Sequence, residues 1–232
     1  MALNNLAVPE GPESRIHEAL IYYDSSLATH PIARLCRDGI LPRPLALEFA
    51  RAQYVDSTLW VAMLSLAKGK VKNHKLSEAI RKNILCEVGN EGVPHTTLCQ
   101  SFVESLGESA RFGTYENYAP VAAHPMEVMN VFDQAGDGLI AGWLLVSETL
   151  VPRLFQVFRP AFTQFHGADL RYLDEHITVD ADEHSKWMLE AALEIAETPE
   201  GLEEVLQGMA LGGRVTLSVP DALYAQALLT RH

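Results

Sequence analysis

The sequence predicts an all-α bundle, and three observations carry that reading. Apolar residues recur three and four apart in segment after segment, the period of a half-buried helix. Gly, Pro and polar clusters fall between those segments. No β-rich run, hairpin turn pair or repeat period occurs. The chain has 232 residues, 48% of them apolar, which is enough for a sizeable core. About seven to nine helices in a single domain over 1–232 fit this length, with residues 1–13 as an N-terminal tail.

In chain order, Ser14 is a candidate cap for a helix from Arg15 towards Ala28, with Leu20, Ile21 and Tyr22 as its apolar stripe. His30-Pro31 breaks it, and a short helical turn through Leu35 ends at Gly39. From Pro44 to Lys68, Leu45, Phe49, Ala52, Leu59, Met63 and Leu66 predict a long amphipathic helix. Asp56 falls on its stripe and Gln53 at the edge. A third helix, from Leu76 to Val88, stops at Gly89, a normal C-terminal signal. After the tight NEGVP loop, His95 opens a fourth, which closes at Gly107.

The aromatic stretch RFGTYENYAPVAAHP reads as a lid or a surface crossover. A helix from Pro125 to Gln134 follows. Gly136 and Gly138 then separate it from, or kink it into, the very apolar run LIAGWLLVSETLVPRLFQVF. Another helix covers Ala168 to Ala196. Thr198-Pro199 restarts the chain as cap and first-turn proline. Gly212 and Gly213 are expected to break that helix, and Pro220 to split the last one.

Composition excludes several function classes. The net charge of −12 supplies no basic face for nucleic acid. It likewise disfavours an anionic membrane surface. No run of ~18 consecutive apolar residues marks a membrane span. The N-terminus has neither the basic nor the apolar region of a signal peptide. Cys36, Cys86 and Cys99 are an odd number without CxxC spacing, so a disulfide framework is not expected and the cytoplasm is the natural compartment.

Chemistry concentrates at three places. In YLDEHITVDADEHSKWMLE, His176, Asp180 and His184 are spaced four apart. Four residues advance a helix by about 400°, so two imidazoles and a carboxylate share one face. These are ligand types that suit Fe, Mn or Zn. In ILCEVGNEGVPHTTL, a helix end, a tight loop and a helix start can bring Glu87, one turn from Asn83, to His95. In GWLLVSETLVP, Glu148 is the only charge between Asp137 and Arg153. A lone buried carboxylate costs several kcal/mol unless paired, protonated or metal-bound.

Each group also has a bland explanation. His95 could be a surface cap, and Glu148 could pair with Arg153. The His176 face could be solvated among Asp174, Glu175, Asp182 and Glu183. No Glu-x-x-His pair of the ferritin type is present.

Glu87, Gly89 and His95, then Glu148 followed by Pro152, then His176, Asp180 and His184, resemble the haem-oxygenase-like di-iron oxidases and oxygenases. That group includes the chlamydial death-domain-associating protein. It lies within the wider fold of thiaminase-II-like and pyrroloquinoline-quinone synthase proteins. The resemblance covers most of the chain, from about residue 45 to 195, and implies a haem-oxygenase-like bundle. It implies one or two Fe(II) ions held by Glu87, His95, Glu148, His176, Asp180 and His184, with O2 as co-substrate. It further implies oxidation of a small amino-acid, amine or fatty-acid substrate by N-oxygenation, C–C cleavage or desaturation. Gln53, Tyr54, Trp60 and Trp143, with Phe155, are candidate pocket walls, and a homodimer is expected by analogy.

Two departures stand out. Gln53 occupies the place where many members carry a further Glu, which puts a second metal in doubt unless Asp56, a turn on, takes the role. His184 follows Asp180 by four residues rather than three, so a bulge is expected in the turn before His184, or Asp182 serves instead. Competing classes are a metal-independent thiaminase-II-like or quinone-synthase-like enzyme, with Cys86 as nucleophile, and a non-catalytic interaction protein.

Overall fold

The structure is a computed structural model that describes residues 11–90, 92–110 and 123–229, with side chains described except at 123–127 and 179–183. It is all-α: α1 (Pro12–Ala28), α2 (Pro31–Arg37), α3 (Arg43–Lys70), α4 (His74–Glu87), α5 (His95–Ser105), α6 (Ala123–Gln134) and α7 (Asp137–Phe158) come first. A 3-10 segment (Arg159–Gln164) follows. Then come α8 (Arg171–Glu175), a π-helical turn (His176–Asp180), α9 (Ala181–Ile195) and α10 (Pro199–Leu229).

Local chemistry sets the starts. Pro12, Pro31 and Pro44 occupy first-turn positions, where a missing N–H costs nothing. Ser14 is therefore inside α1 rather than its cap. The His30 Nδ1 accepts from the Ile32 N–H at 3.2 Å. The Asn73 side chain caps α4 through the Leu76 N–H at 2.9 Å. Asp137, at the start of α7, accepts from the Lys72 and Asn73 N–H groups at 3.0 and 2.6 Å, tying α7 to the α3–α4 connection.

The central element is α7, packed against α10, α9 and α1. The stretch Asp137–Gln164 is long and apolar enough to cross a membrane by composition, but it is mostly buried inside the protein, as a core helix is. Its contact with α10 is a backbone-to-backbone seam. A Cβ on Gly142 would lie 1.9 Å from the Val205 carbonyl oxygen, and one on Gly208 would lie 2.1 Å from that of Leu139. This corrects the reading of α10, which runs unbroken through Gly212, Gly213 and Pro220. Gly212 and Gly213 make room for Trp143 and Tyr23 instead of ending the helix. Packing outweighs their low helix propensity.

The stretch read as a lid or crossover lies, but for its last residues, outside the described residues, as do residues 1–10 of the tail.

Candidate metal centre

The first corner of the site is the connection from α4 to α5. Gly89 sits at φ +74°, and a Cβ there would lie 2.5 Å from the Pro94 nitrogen. Only glycine tolerates both the left-handed conformation and that approach. The tight return places Glu87 Oε2 3.2 Å from His95 Nδ1, with both residues buried.

The second corner comes from the π turn. One turn holding an extra residue makes the eight-residue step from His176 to His184 behave like a heptad, which drifts only ~20° on a straight helix. Both imidazoles therefore face inward, at 8% and 2% exposure. The irregular turn was expected just before His184; it lies one turn earlier, at His176–Asp180. The His176 Nδ1–H donates to the Tyr172 carbonyl at 2.7 Å, which leaves Nε2 as the ligand atom. Burial, and then His95 and His184, hold His176 down at a pKa of about 3, so it stays neutral.

The third corner is Glu148 on α7. Asn83 Nδ2 donates to its Oε1 at 2.5 Å, and His184 Nδ1 lies 3.4 Å from its Oε2. Pro152 provides no N–H for the Glu148 carbonyl, which loosens the helical ladder at that point.

The bland explanations fail on geometry. Arg153 pairs with Asp24 at 2.7 Å, not with Glu148. Asp174 turns to Arg159 at 2.5 Å while His176 turns inward. His95 is buried at 5% exposure, not a surface cap.

Ligand atoms of Glu87, His95 and His176 all lie within 4.8 Å of one another. A buried set of one carboxylate and two imidazoles, one of them held neutral, fits an iron ion. Glu148 and His184 supply a second carboxylate–imidazole pair. The side chains of Asp180 and Asp182 lie outside the described residues.

A cavity of about 130 Å³ opens beside these groups. Glu87, Glu148 and His176 border it, and Gln53, Asp56, Trp60, Met63, Trp143, Leu154 and Phe155 are among its walls. Tyr54 is not one of them; it packs half-buried against the core, a correction to its expected place. Its position next to Gln53 on α3 rotates it about 100° away from the cavity face. Cys86 is not among the described walls of this cavity either. The Cys36 thiol is pushed up by burial to about 12, and burial likewise raises Cys99.

Sequence reasoning passed over two residues. Asn83 is fully buried and orients Glu148. Its polar side chain on the same helix stripe as Glu87 was the available signal. Tyr172 is buried beneath His176, and its phenol is raised well above 10, chiefly by burial and then by Cys99, Glu87 and Asp56. The Ser57 hydroxyl approaches it without meeting hydrogen-bond geometry.

Solved structures share this fold. A CADD-like protein of unknown function from Nostoc punctiforme superposes with a TM-score of 0.71 at 15% identity, covering 94% of this chain and 98% of that one. A second crystal structure of the same protein gives 0.71 at 14% identity, over 92% and 98%. A domain of unknown function with a heme oxygenase-like fold from Shewanella denitrificans gives 0.70 at 16%, over 93% and 92%. No curated protein matches the sequence. Residues 47–215, which carry Glu87, His95, Glu148, His176 and His184, match the iron-containing redox enzymes. The chain belongs to that family, on a haem-oxygenase-like fold.

Proposed function

We propose that this protein is a non-haem iron, O2-dependent oxidase or oxygenase that acts on a small organic molecule held in the cavity. The observation that supports the reading best is the buried Glu87–His95–His176 set beside that cavity. Glu87, His95 and His176 would hold one ion, and Glu148 with His184 would contribute to a second or complete the first. Iron supplies O2 activation and one-electron redox chemistry that no side chain offers.

The rest falls to the chain itself. The Tyr172 carbonyl holds the His176 proton on Nδ1 and so fixes the ring. Asn83 holds the Glu148 carboxylate in one rotamer. Trp60, Trp143, Leu154 and Phe155 exclude bulk water, which protects reactive species from unproductive quenching. The Tyr172 phenol keeps its proton at neutral pH and is a hydrogen-bond donor beside Glu87.

The test is anaerobic titration with Fe(II), followed by O2 uptake. Wild type should bind one or two equivalents and consume O2. Glu87→Ala and His176→Ala should each lose iron. Variants that hold iron as well as wild type would refute the assignment.

A further inference from the structure

The cavity carries a carboxylate that the proposed iron site does not use. Asp56 lines the cavity from α3, half-buried. Its ligand atoms do not join the Glu87–His95–His176 cluster. No described Lys, Arg or His forms an ion pair with it, and no described donor hydrogen-bonds to it. Burial alone accordingly pushes its carboxyl up to about 7. Every other carboxylate bordering the cavity has a polar partner: Glu87 has His95, and Glu148 has Asn83 and His184.

The described cavity wall contains no Lys or Arg, so no cationic side chain there would receive the carboxylate of an amino acid or a fatty acid. It does contain Trp60 and Trp143, with ring centroids 5.6 Å apart, and aromatic faces attract cations. Room for on the order of ten waters limits the occupant to a small molecule.

We infer that the substrate is a small primary amine whose ammonium group is received by Asp56, with its apolar part along the Trp60–Trp143 wall. The inference rests on the reading that this cavity is the substrate site. Asp56 is then the specificity-determining residue, and the missing partner of its carboxylate is the substrate itself. Electrostatic complementarity here selects against acids as much as it favours amines.

The test is calorimetric binding of hexylamine, 1-hexanol and hexanoate at 0.15 M salt, which screens adventitious attraction to an acidic surface. Full-length protein is used both metal-free and Fe(II)-loaded under argon. The expected result is saturable one-to-one binding of hexylamine, at least tenfold tighter than either analogue. Asp56→Asn should abolish that preference with iron content unchanged. Equal binding of the three, a preference for hexanoate, or no binding of hexylamine would overturn the inference. So would an Asp56→Asn variant that loses its iron, which would make Asp56 a ligand, or one that keeps the amine preference. Should Asp56→Asn fail to fold, the wild-type series alone decides. A protein that prefers hexylamine yet takes no iron would sink the iron reading and leave this one intact.

Discussion

The two sides of α7 solve opposite problems. Towards α10, Gly142 and the facing Gly208 bring backbone against backbone, and no space is left for even a methyl group. Towards α4 and α9, the same helix presents Glu148 to Asn83 and His184, beside the cavity. The first side maximises contact and carries no chemistry. The second holds a buried carboxylate whose partners among the described residues are an amide and an imidazole. The contrast shows where the molecule places rigidity and where it accepts an electrostatic cost. A tight seam on the other side of α7 holds the helix that carries this buried charge. Such sites trade stability for function.

Substitutions on the two sides should therefore separate stability from metal binding. Gly142→Ala forces the helices apart, because its Cβ would sit on the Val205 carbonyl. We expect a loss of about 3 kcal/mol or more, a Tm lower by on the order of 10 °C, with iron content per folded molecule preserved. Differential scanning calorimetry alongside metal analysis checks this.

The front should behave in reverse. Glu148→Gln keeps the side chain's size while removing its charge. Iron affinity should fall more than about 100-fold, since loss of even a supporting residue costs 10–100-fold. Urea denaturation of the metal-free variant should show it within about 1 kcal/mol of wild type, or more stable. Asn83→Ala, which only frees the Glu148 carboxylate, should weaken iron by about tenfold in a competition assay with a chelator.

Protonation sharpens the contrast further. The folded-state pKa of His176 is depressed from 6.5 to about 3, so in that window the unfolded chain binds the extra proton. Its contribution to stability is full above 6.5 and is lost as pH falls towards 3. Asp56 is raised from 3.8 to about 7, so the folded chain binds the extra proton there. Its contribution is full below 3.8 and is lost as pH rises towards 7. Between about 4 and 6.5 the two slopes oppose and nearly cancel. In metal-free protein, Asp56→Asn should unmask a stability that rises with pH, by up to about 1.4 kcal/mol per unit. His176→Asn should unmask the opposite slope. Urea midpoints measured across this range decide it, and parallel profiles for both variants would count against the burial of these groups.

Much of this was legible in the sequence because its signals were local. Glu148 was conspicuous as a charge with no company in an apolar run, and His176 and His184 as imidazoles on one helical stripe. Gly89 stops α4 as its type predicts, and the short loop after it returns the chain to His95. The signals that failed depend on a partner helix. Gly212 and Gly213 look like breakers until Trp143 and Tyr23 are placed against them. Tyr54 sits beside a cavity residue in sequence but faces elsewhere. The spacing to His184 announced an extra residue, but only the packing of α9 and the π turn against α7 fixes which turn absorbs it. The Asp56 side chain was visible on the α3 stripe; its isolation was not, because a missing partner is a property of the assembled cavity.

The central claim is that Glu87, His95 and His176 converge to hold iron. The most direct measurement is anomalous diffraction at the iron edge from crystals grown anaerobically with Fe(II). The account predicts a peak within coordinating distance of all three side chains. An iron peak elsewhere, or full hydrogen bonding among the three with no peak between them, would contradict it.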